Sequence, residues 1–222
     1  LSFATTRKFI MNTKQLLGAL ALATPFTAGA DTLSFSAGAG AWNTSPSGDF
    51  KKTTDPAAVD VKENLFWDDK TQGYAFMTLE HPVPILPNAR LMYTSIEQSG
   101  SGSTSFIFDG DVYTGNVSND FSIDALDLIL YYEVLDNVVS LDLGLNVRNL
   151  KIDYTINDSS NTTDSMDETV PMLYVLVGGS PIPDMIISGE LSYVAYSGSS
   201  ISDFTAKIAY TTNFFVGFEA GY

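Results

Sequence analysis

The residues of this chain that could do chemistry are one histidine and a scatter of carboxylates. His81 is the single histidine, and the chain contains no cysteine. A Ser/His/Asp arrangement would need a serine and an acid converging on His81, and no feature of the sequence signals one. His81 lies in a proline-rich segment, where a structural role is the better interpretation. The lack of cysteine excludes disulfides, thiolate metal sites and a cysteine nucleophile. We therefore predict a protein that is not an enzyme and uses no cofactor.

Clustered carboxylates are the second group with chemical potential. Asp109-Gly110-Asp111 and the acidic run at 158–168 offer the oxygen ligands that calcium and magnesium prefer. Neither places a Gly and a closing Glu at the offsets of the helix–loop–helix calcium motif, so we predict ordinary solvated loop charge. Divalent cations that bridge these acids to lipopolysaccharide phosphates are the alternative. The net charge of −15 makes nucleic acid an unsuitable partner, because phosphates attract Lys and Arg.

A third group consists of isolated charges at alternate positions within apolar stretches. Side chains alternate faces along a strand, so these charges would share the face opposite the apolar residues. In a narrow barrel we expect them to fill the interior as a paired network, and the alternative is the selectivity lining of a small pore. The members of this candidate site are Arg90, Asp127, Glu133, Asp142, Arg148, Glu190, Asp203, Lys207 and Glu219.

The strands that must position these charges are clearest on either side of Asp136-Asn137. Even positions from 126 to 134 and odd positions from 139 to 147 are apolar, so folding the chain at this pair puts them on one face. We expect Tyr131 opposite Asp142 on the other, polar face. Each run covers the roughly 9–11 residues that a tilted strand needs to cross a bilayer. The pattern predicts a membrane β-barrel hairpin, with lipid on the leucine side and a polar lumen inside.

The same hairpin shows two further patterns. Above the leucine stripe the apolar residues change parity, as at Phe121 and Ile152, which predicts a bulge or sharp twist where the strands leave the bilayer. Aromatic residues gather near the short turns, and we interpret them as an interfacial girdle. The predicted girdle consists of Tyr131, Tyr132, Tyr210, Phe214 and Phe215.

Alternation of this kind predicts nine strands along the chain. Their spans are 33–42, 73–80, 89–97, 121–134, 138–154, 170–177, 185–196, 202–210 and 214–222. The connections at 81–88, 136–137, 180–184 and 211–213 are short and fall on one side. The polar segments 43–72, 99–119 and 157–168 fall on the other side as long loops, with a small hairpin around Phe106. Outer-membrane barrels have this asymmetry of short periplasmic turns and longer external loops.

The start of the chain has the features of an export signal. A basic opening at Met11–Lys14 precedes the apolar run 16–23 and the small residues Ala28-Gly29-Ala30. We predict an upstream extension at 1–10, a signal peptide at 11–30 and a barrel domain at 31–222. Cleavage would remove Arg7, Lys8 and Lys14 and take the net charge from −15 to −18.

Nine strands do not match the even number found in bacterial single-chain barrels. We therefore predict an all-β, transmembrane, antiparallel up-and-down barrel of about ten strands when complete, lacking its C-terminal strand here. Without that strand, the strands at Leu33 and Phe218 would keep open edges. The competing fold is a secreted or periplasmic soluble barrel that binds an apolar ligand, which would put leucine inside and charge outside.

Two motifs resemble those of a family of proteobacterial outer-membrane β-barrel proteins of uncharacterised function. They are Glu80-His81-Pro82-Val83-Pro84-Ile85-Leu86-Pro87-Asn88 and Tyr131-Tyr132-Glu133-Val134-Leu135-Asp136-Asn137. The resemblance implies the bacterial outer membrane, with its lipid and lipopolysaccharide as surroundings and the barrel-assembly machinery as a partner during insertion. From the inward charges we predict a structural, surface-interaction or minor permeability role, with the lumen largely plugged. The resemblance adds only location and fold. It implies no reaction, so no catalytic residue is carried over.

Overall fold

The computed structural model describes residues 17–24, 33–50, 55–136, 138–158, 161–196 and 199–222, and strands account for most of them. Ten strands form a closed antiparallel barrel, and two strands of two residues pair separately. The elements are β1 (Leu17–Thr24), β2 (Ser34–Thr44), β3 (Asp49–Phe50), β4 (Val59–Asp60), β5 (Lys70–Glu80), β6 (Asn88–Phe108), β7 (Asp111–Asp136), β8 (Val139–Asn157), β9 (Asn161–Ile182), β10 (Met185–Tyr196), β11 (Ser199–Thr211) and β12 (Val216–Gly221). Each strand from β5 to β12 pairs with the next in sequence, so the predicted up-and-down topology is confirmed.

All nine predicted strands are present in the predicted order, but several are longer than predicted. The small hairpin predicted around Phe106 is confirmed. The rest of 99–119 and the segment 157–168 are wrong as loops, because β6, β7, β8 and β9 continue through them as paired strands. Asp109-Gly110 forms the tip of the β6–β7 hairpin with both residues at positive φ. The Gly/Ser-rich composition suggested loops, yet strand propensity is strongly context-dependent and the neighbouring strands here extend the ladder.

The tenth place in the barrel, between β12 and β2, is taken by β1. Leu20 pairs with Ala39 of β2 on one side and with Phe218 of β12 on the other. The open edges predicted for the strands at Leu33 and Phe218 are therefore wrong for this structure, because both ladders continue onto β1. β1 falls within the predicted signal peptide, so the closed barrel contains residues that the predicted cleavage would remove. The rest of 1–32 lies outside the described residues. The cleavage site and the 31–222 domain boundary stay predictions.

The β7–β8 register differs by two residues from the predicted one. Tyr131 pairs with Gly144 rather than Asp142, and the ladder shifts between Glu133 and Leu135. A shift of two keeps every side chain on its predicted face, because side chains alternate with a period of two. The predicted bulge above the leucine stripe is wrong, since pairing is regular from Ser118 to Glu133. Above the leucine stripe the side chains keep their inward and outward directions, and it is the environment on each side of the sheet that changes.

The outward face of the barrel carries a broad belt of exposed apolar side chains. These include Leu79, Leu91, Leu126, Leu128, Leu143, Leu145, Leu173, Ile187, Leu191, Phe204, Ile208 and Phe218. Tyr132, Tyr210, Phe214 and Phe215 are also exposed, as the predicted girdle requires. Tyr131 is wrong as a girdle residue: it is 1% exposed, because odd positions of β7 point inward. Among the described residues there is no helix with the length and apolar character that a bilayer crossing requires.

A second packed region explains why the apolar residues of β7 and β8 change between even and odd positions above the leucine stripe. The described parts of the segment between β2 and β5, residues 45–50 and 55–69, fold against the inward face of the extended β6–β8 strands, and we call them the cap. Its buried residues Val59, Val61, Leu65 and Trp67 pack against Phe106, Phe108, Tyr113, Val117, Phe121 and Ile156. Apolar residues therefore point inward at this level, where the cap lies, and outward in the leucine stripe below.

Polar contacts fix the cap in place. The Asn119 side chain accepts a hydrogen bond from Trp67 Nε1 at 2.7 Å and donates one to the Leu65 carbonyl at 2.9 Å. At Gly100 a Cβ would collide with the Leu65 carbonyl, so only glycine permits this close approach. Burial also raises the pKa of the Tyr154 hydroxyl to about 12, with the Asp164 carboxylate adding to the effect. The cap is thus a docked element rather than a solvated loop.

Asp55 gives a direct test of cap docking. Its carboxylate accepts hydrogen bonds from the backbone N–H groups of Asp109 and Gly110, at 3.2 and 3.1 Å. We expect Asp55→Ala to weaken docking by about 1.5–3 kcal/mol, the usual contribution of a hydrogen bond to a charged group. Limited proteolysis should then cut within 45–69 roughly ten to a hundred times faster. Asp69→Ala, in the same segment, is the control, and an unchanged cleavage rate for Asp55→Ala would contradict the anchor role.

Candidate functional site: the barrel interior

The nine charged residues predicted to share one face all lie on inward-facing positions of the barrel strands. Arg90 on β6 forms an ion pair with Glu190 on β10 at 2.7 Å. These strands are separated by three others in the barrel, so the pair crosses the lumen. Lys207 joins Glu190 at 2.9 Å and Glu219 at 3.4 Å. Four of the predicted residues therefore form one network.

A second network lies around Arg148 on β8. Its guanidinium contacts Asp127 on the neighbouring β7 at 2.6 Å and Asp203 on β11 at 2.7 Å. The Asp127 side chain is fully buried and also accepts a hydrogen bond from Asn146 at 2.7 Å. Because β8 and β11 are not adjacent, this cluster also spans part of the lumen.

Tyrosines complete the network, and the alternation pattern did not identify them as partners. The Tyr74 hydroxyl on β5 donates a hydrogen bond to the Glu219 carboxylate on β12 at 2.6 Å, and β2 and β1 lie between these two strands. Tyr174 donates to Glu190 at 3.2 Å. A Cβ on Gly40 would lie 2.6 Å from the Tyr74 ring, so the glycine leaves room for this ring along the wall. An inward tyrosine beside a carboxylate on a distant strand cannot be recognised until the barrel closes.

The remaining two predicted residues, Glu133 and Asp142, form no ion pair with any of the described cations. They are direct cross-strand partners on the inward face of β7 and β8. Glu133 accepts a hydrogen bond from Asn88 at 3.2 Å. Among the described residues, Asp142 has neither a hydrogen-bond donor nor an ion-pair partner, although it is only 8% exposed. Glu80, which sequence reasoning missed, lies nearby and accepts hydrogen bonds from Ser34 at 3.0 Å and Tyr131 at 2.8 Å.

Seven of the nine predicted residues line a cavity of about 660 Å³, and Asp127 and Arg148 are not part of its lining. Its mouth is bordered by His81, Pro82 and Asp136, which lie in or beside the short turns. The described lining residues include seven carboxylates but only two cations, Arg90 and Lys207, a balance of −5. Apolar side chains such as Phe76 and Met92 lie among them. The interior is therefore a strongly negative pocket with apolar patches.

His81 has the structural position expected from the sequence. Nδ1 lies 3.3 Å from the Val83 N–H, which donates to it, so Nε2 carries the proton and donates to the Pro87 carbonyl at 3.1 Å. Both ring nitrogens are thus occupied by the backbone of the proline-rich turn. In the described part of the chain no group of three or more His, Asp or Glu residues has a geometry that could hold a metal ion.

Comparisons with known proteins identify no family for this chain. No family model matches it, and no curated protein matches it in sequence. Among solved structures it is similar to Ail, the attachment invasion locus protein of Yersinia pestis, in complex with the heparin analogue sucrose octasulfate. That similarity has a TM-score of 0.37 at 8% identity and covers 93% of this chain and 97% of Ail. A likeness this weak carries no argument about function.

Proposed function

We propose that this protein is an integral outer-membrane β-barrel with a structural or surface-interaction role. The observation that carries the proposal is the inverted polarity of the barrel. Apolar side chains from Leu79 to Phe218 are exposed on the outside, while the ion pairs of Arg90 and Arg148 lie inside. With β1 in place between β12 and β2, the closed barrel satisfies its backbone hydrogen bonds internally, which is the requirement for crossing lipid. A soluble barrel that binds an apolar ligand would need the reverse arrangement.

Membrane integration can be tested with the purified protein. Refolded into detergent or lipid vesicles, it should run faster on a gel unheated than boiled, because the closed barrel resists denaturation by the gel detergent. Flotation with vesicles at high salt and in alkaline carbonate should follow. A protein that stays soluble and monomeric without detergent, and does not float, would contradict the proposal.

We further propose that the lumen is closed to sizeable solutes. Three features support closure: the Arg90–Glu190 pair across the lumen, the Arg148 cluster, and the cap that packs over the long-loop end. Barrel diameter grows with strand number, and ten strands leave a narrow interior.

Planar-bilayer recordings check this closure. We expect no stable porin-like conductance from the parent protein, because the side chains above occupy the lumen. A variant without the cap and with Arg90→Ala and Arg148→Ala should conduct more, provided that it still shows heat-modifiable mobility. Large steady conductance of the parent would favour the alternative of a selective pore.

A further inference from the structure

The lumen contains two kinds of carboxylate. Glu190, Glu219, Asp127 and Asp203 each lie within ion-pair distance of Arg or Lys. Glu80, Glu133 and Asp142, which we call the acidic trio, have only neutral donors or none. The hydroxyls of Ser34 and Tyr131 and the amide of Asn88 are those donors. Among the described residues, therefore, no cation pairs directly with this part of an otherwise paired network.

The missing charge is costly in this setting. Like charges directly opposite one another on the same face of a sheet are destabilising, and Glu133 and Asp142 have this relation. Asp142 is more than nine-tenths buried, lines the cavity and has no partner among the described residues. Buried charges in proteins are normally paired. An arrangement of this kind is stabilised when a cation from outside occupies the cavity.

The shape and lining of the cavity define the class of cation. A volume of about 660 Å³ exceeds the needs of a single metal ion, and the described carboxylates do not converge into a metal-binding group. The lining combines carboxylates with the apolar side chains of Phe76, Met92 and Leu176. Ammonium groups separated by short methylene chains match both features, since the charges meet carboxylates and the methylenes meet apolar surface.

We propose that this cavity binds a linear aliphatic polyamine, with one ammonium group held by the acidic trio. Asp142 and Glu133 would accept hydrogen bonds from that ammonium. Glu80, which accepts hydrogen bonds from Ser34 and Tyr131, would add a further negative charge nearby. The site requires only the folded barrel, so it does not depend on the proposed placement in the outer membrane. The ligand would enter through the mouth at the short turns.

Calorimetric titration of the refolded barrel with spermidine tests the proposal. We expect one site per barrel in the parent protein. Asp142→Asn and Glu133→Gln should each weaken binding by about ten- to a hundredfold, the effect of losing one charged hydrogen bond. The matched control is Asp164→Asn with Asp167→Asn, which removes exposed charges from β9 and should leave the site unchanged. No binding by the parent, or equal binding by Asp142→Asn, would overturn the proposal.

A second variant keeps the test decisive if Asp142→Asn does not fold. Ser140 lies on the same face of β8, two residues from Asp142, and lines the cavity. Ser140→Lys would supply an ammonium from the chain itself. It should raise the thermal unfolding midpoint without ligand and abolish spermidine binding. Undiminished spermidine binding by Ser140→Lys would overturn the assignment of the site to the acidic trio.

Discussion

Replacing Arg148 with methionine will destabilise the folded barrel by about 3–5 kcal/mol, the cost of leaving one member of a buried ion pair without its partner. The reason is Asp127, whose side chain is fully buried and whose contact with Arg148 is 2.6 Å long. Methionine fills much of the volume but supplies no charge. Urea titration of the refolded barrel in lipid vesicles, followed by tryptophan fluorescence, measures the loss.

Two further variants separate this effect from general damage. Arg148→Met combined with Asp127→Asn removes both charges and should recover much of the lost stability, because no buried charge is left unpaired. Lys151→Met lies on the same strand but removes an exposed pair with Asp153, which should leave the urea midpoint almost unchanged because surface ion pairs contribute little. If Arg148→Met and Lys151→Met behaved alike, the Arg148 cluster would not stabilise the barrel.

Leu143→Arg is expected to cost about 2–4 kcal/mol of folding free energy in a lipid bilayer. Leu143 is exposed on the outward face, halfway along the apolar run of β8, so an arginine there would be in contact with the hydrocarbon core. The same vesicle-based urea titration provides the measurement. A Leu143→Arg protein that inserts and folds as the parent does would show that this face does not contact lipid.

Val112→Arg is the control for position along the barrel axis. Val112 is 63% exposed on the outward face of β7, but it lies next to the tip of the β6–β7 hairpin, far from the leucine stripe. A surface substitution of this kind should change stability by no more than about 0.5 kcal/mol. The contrast between the two arginines therefore reports position relative to the bilayer rather than tolerance of arginine.

The strand pattern of the barrel could be predicted from the sequence because both faces have a strict chemical requirement. Leu128 and Leu145 point outward, and Asp127 and Arg148 point inward. This arrangement is visible in the sequence as an alternation of apolar and polar residues with a period of two. The pairing register of neighbouring strands was harder to predict from the sequence. From Ser118 to Glu133 the β8 partners differ by two positions from the predicted ones without any change of face, so no residue pattern could reveal the difference.

The cap and the partners within the lumen could not be predicted for a different reason. Trp67 and Asn119 are 52 positions apart and meet only when the cap folds into the extended hairpins. Tyr74 and Glu219 are 145 positions apart and meet only when the barrel closes. Neither contact leaves a local periodicity. The parity change at Phe121 and Ile152 was the available signal of the cap, and a bulge was the more familiar explanation for it.

The cap also has consequences for the order in which the chain folds. It lies between β2 and β5, yet the surface that it covers is built from β6, β7 and β8, which come later in the sequence. Its docking must therefore wait for those hairpins to pair, and contacts between residues so distant in sequence form slowly. Until then Trp67 and Leu65 are exposed to water beside unpaired strand edges. During this interval the chain is most prone to aggregation and most dependent on a chaperone.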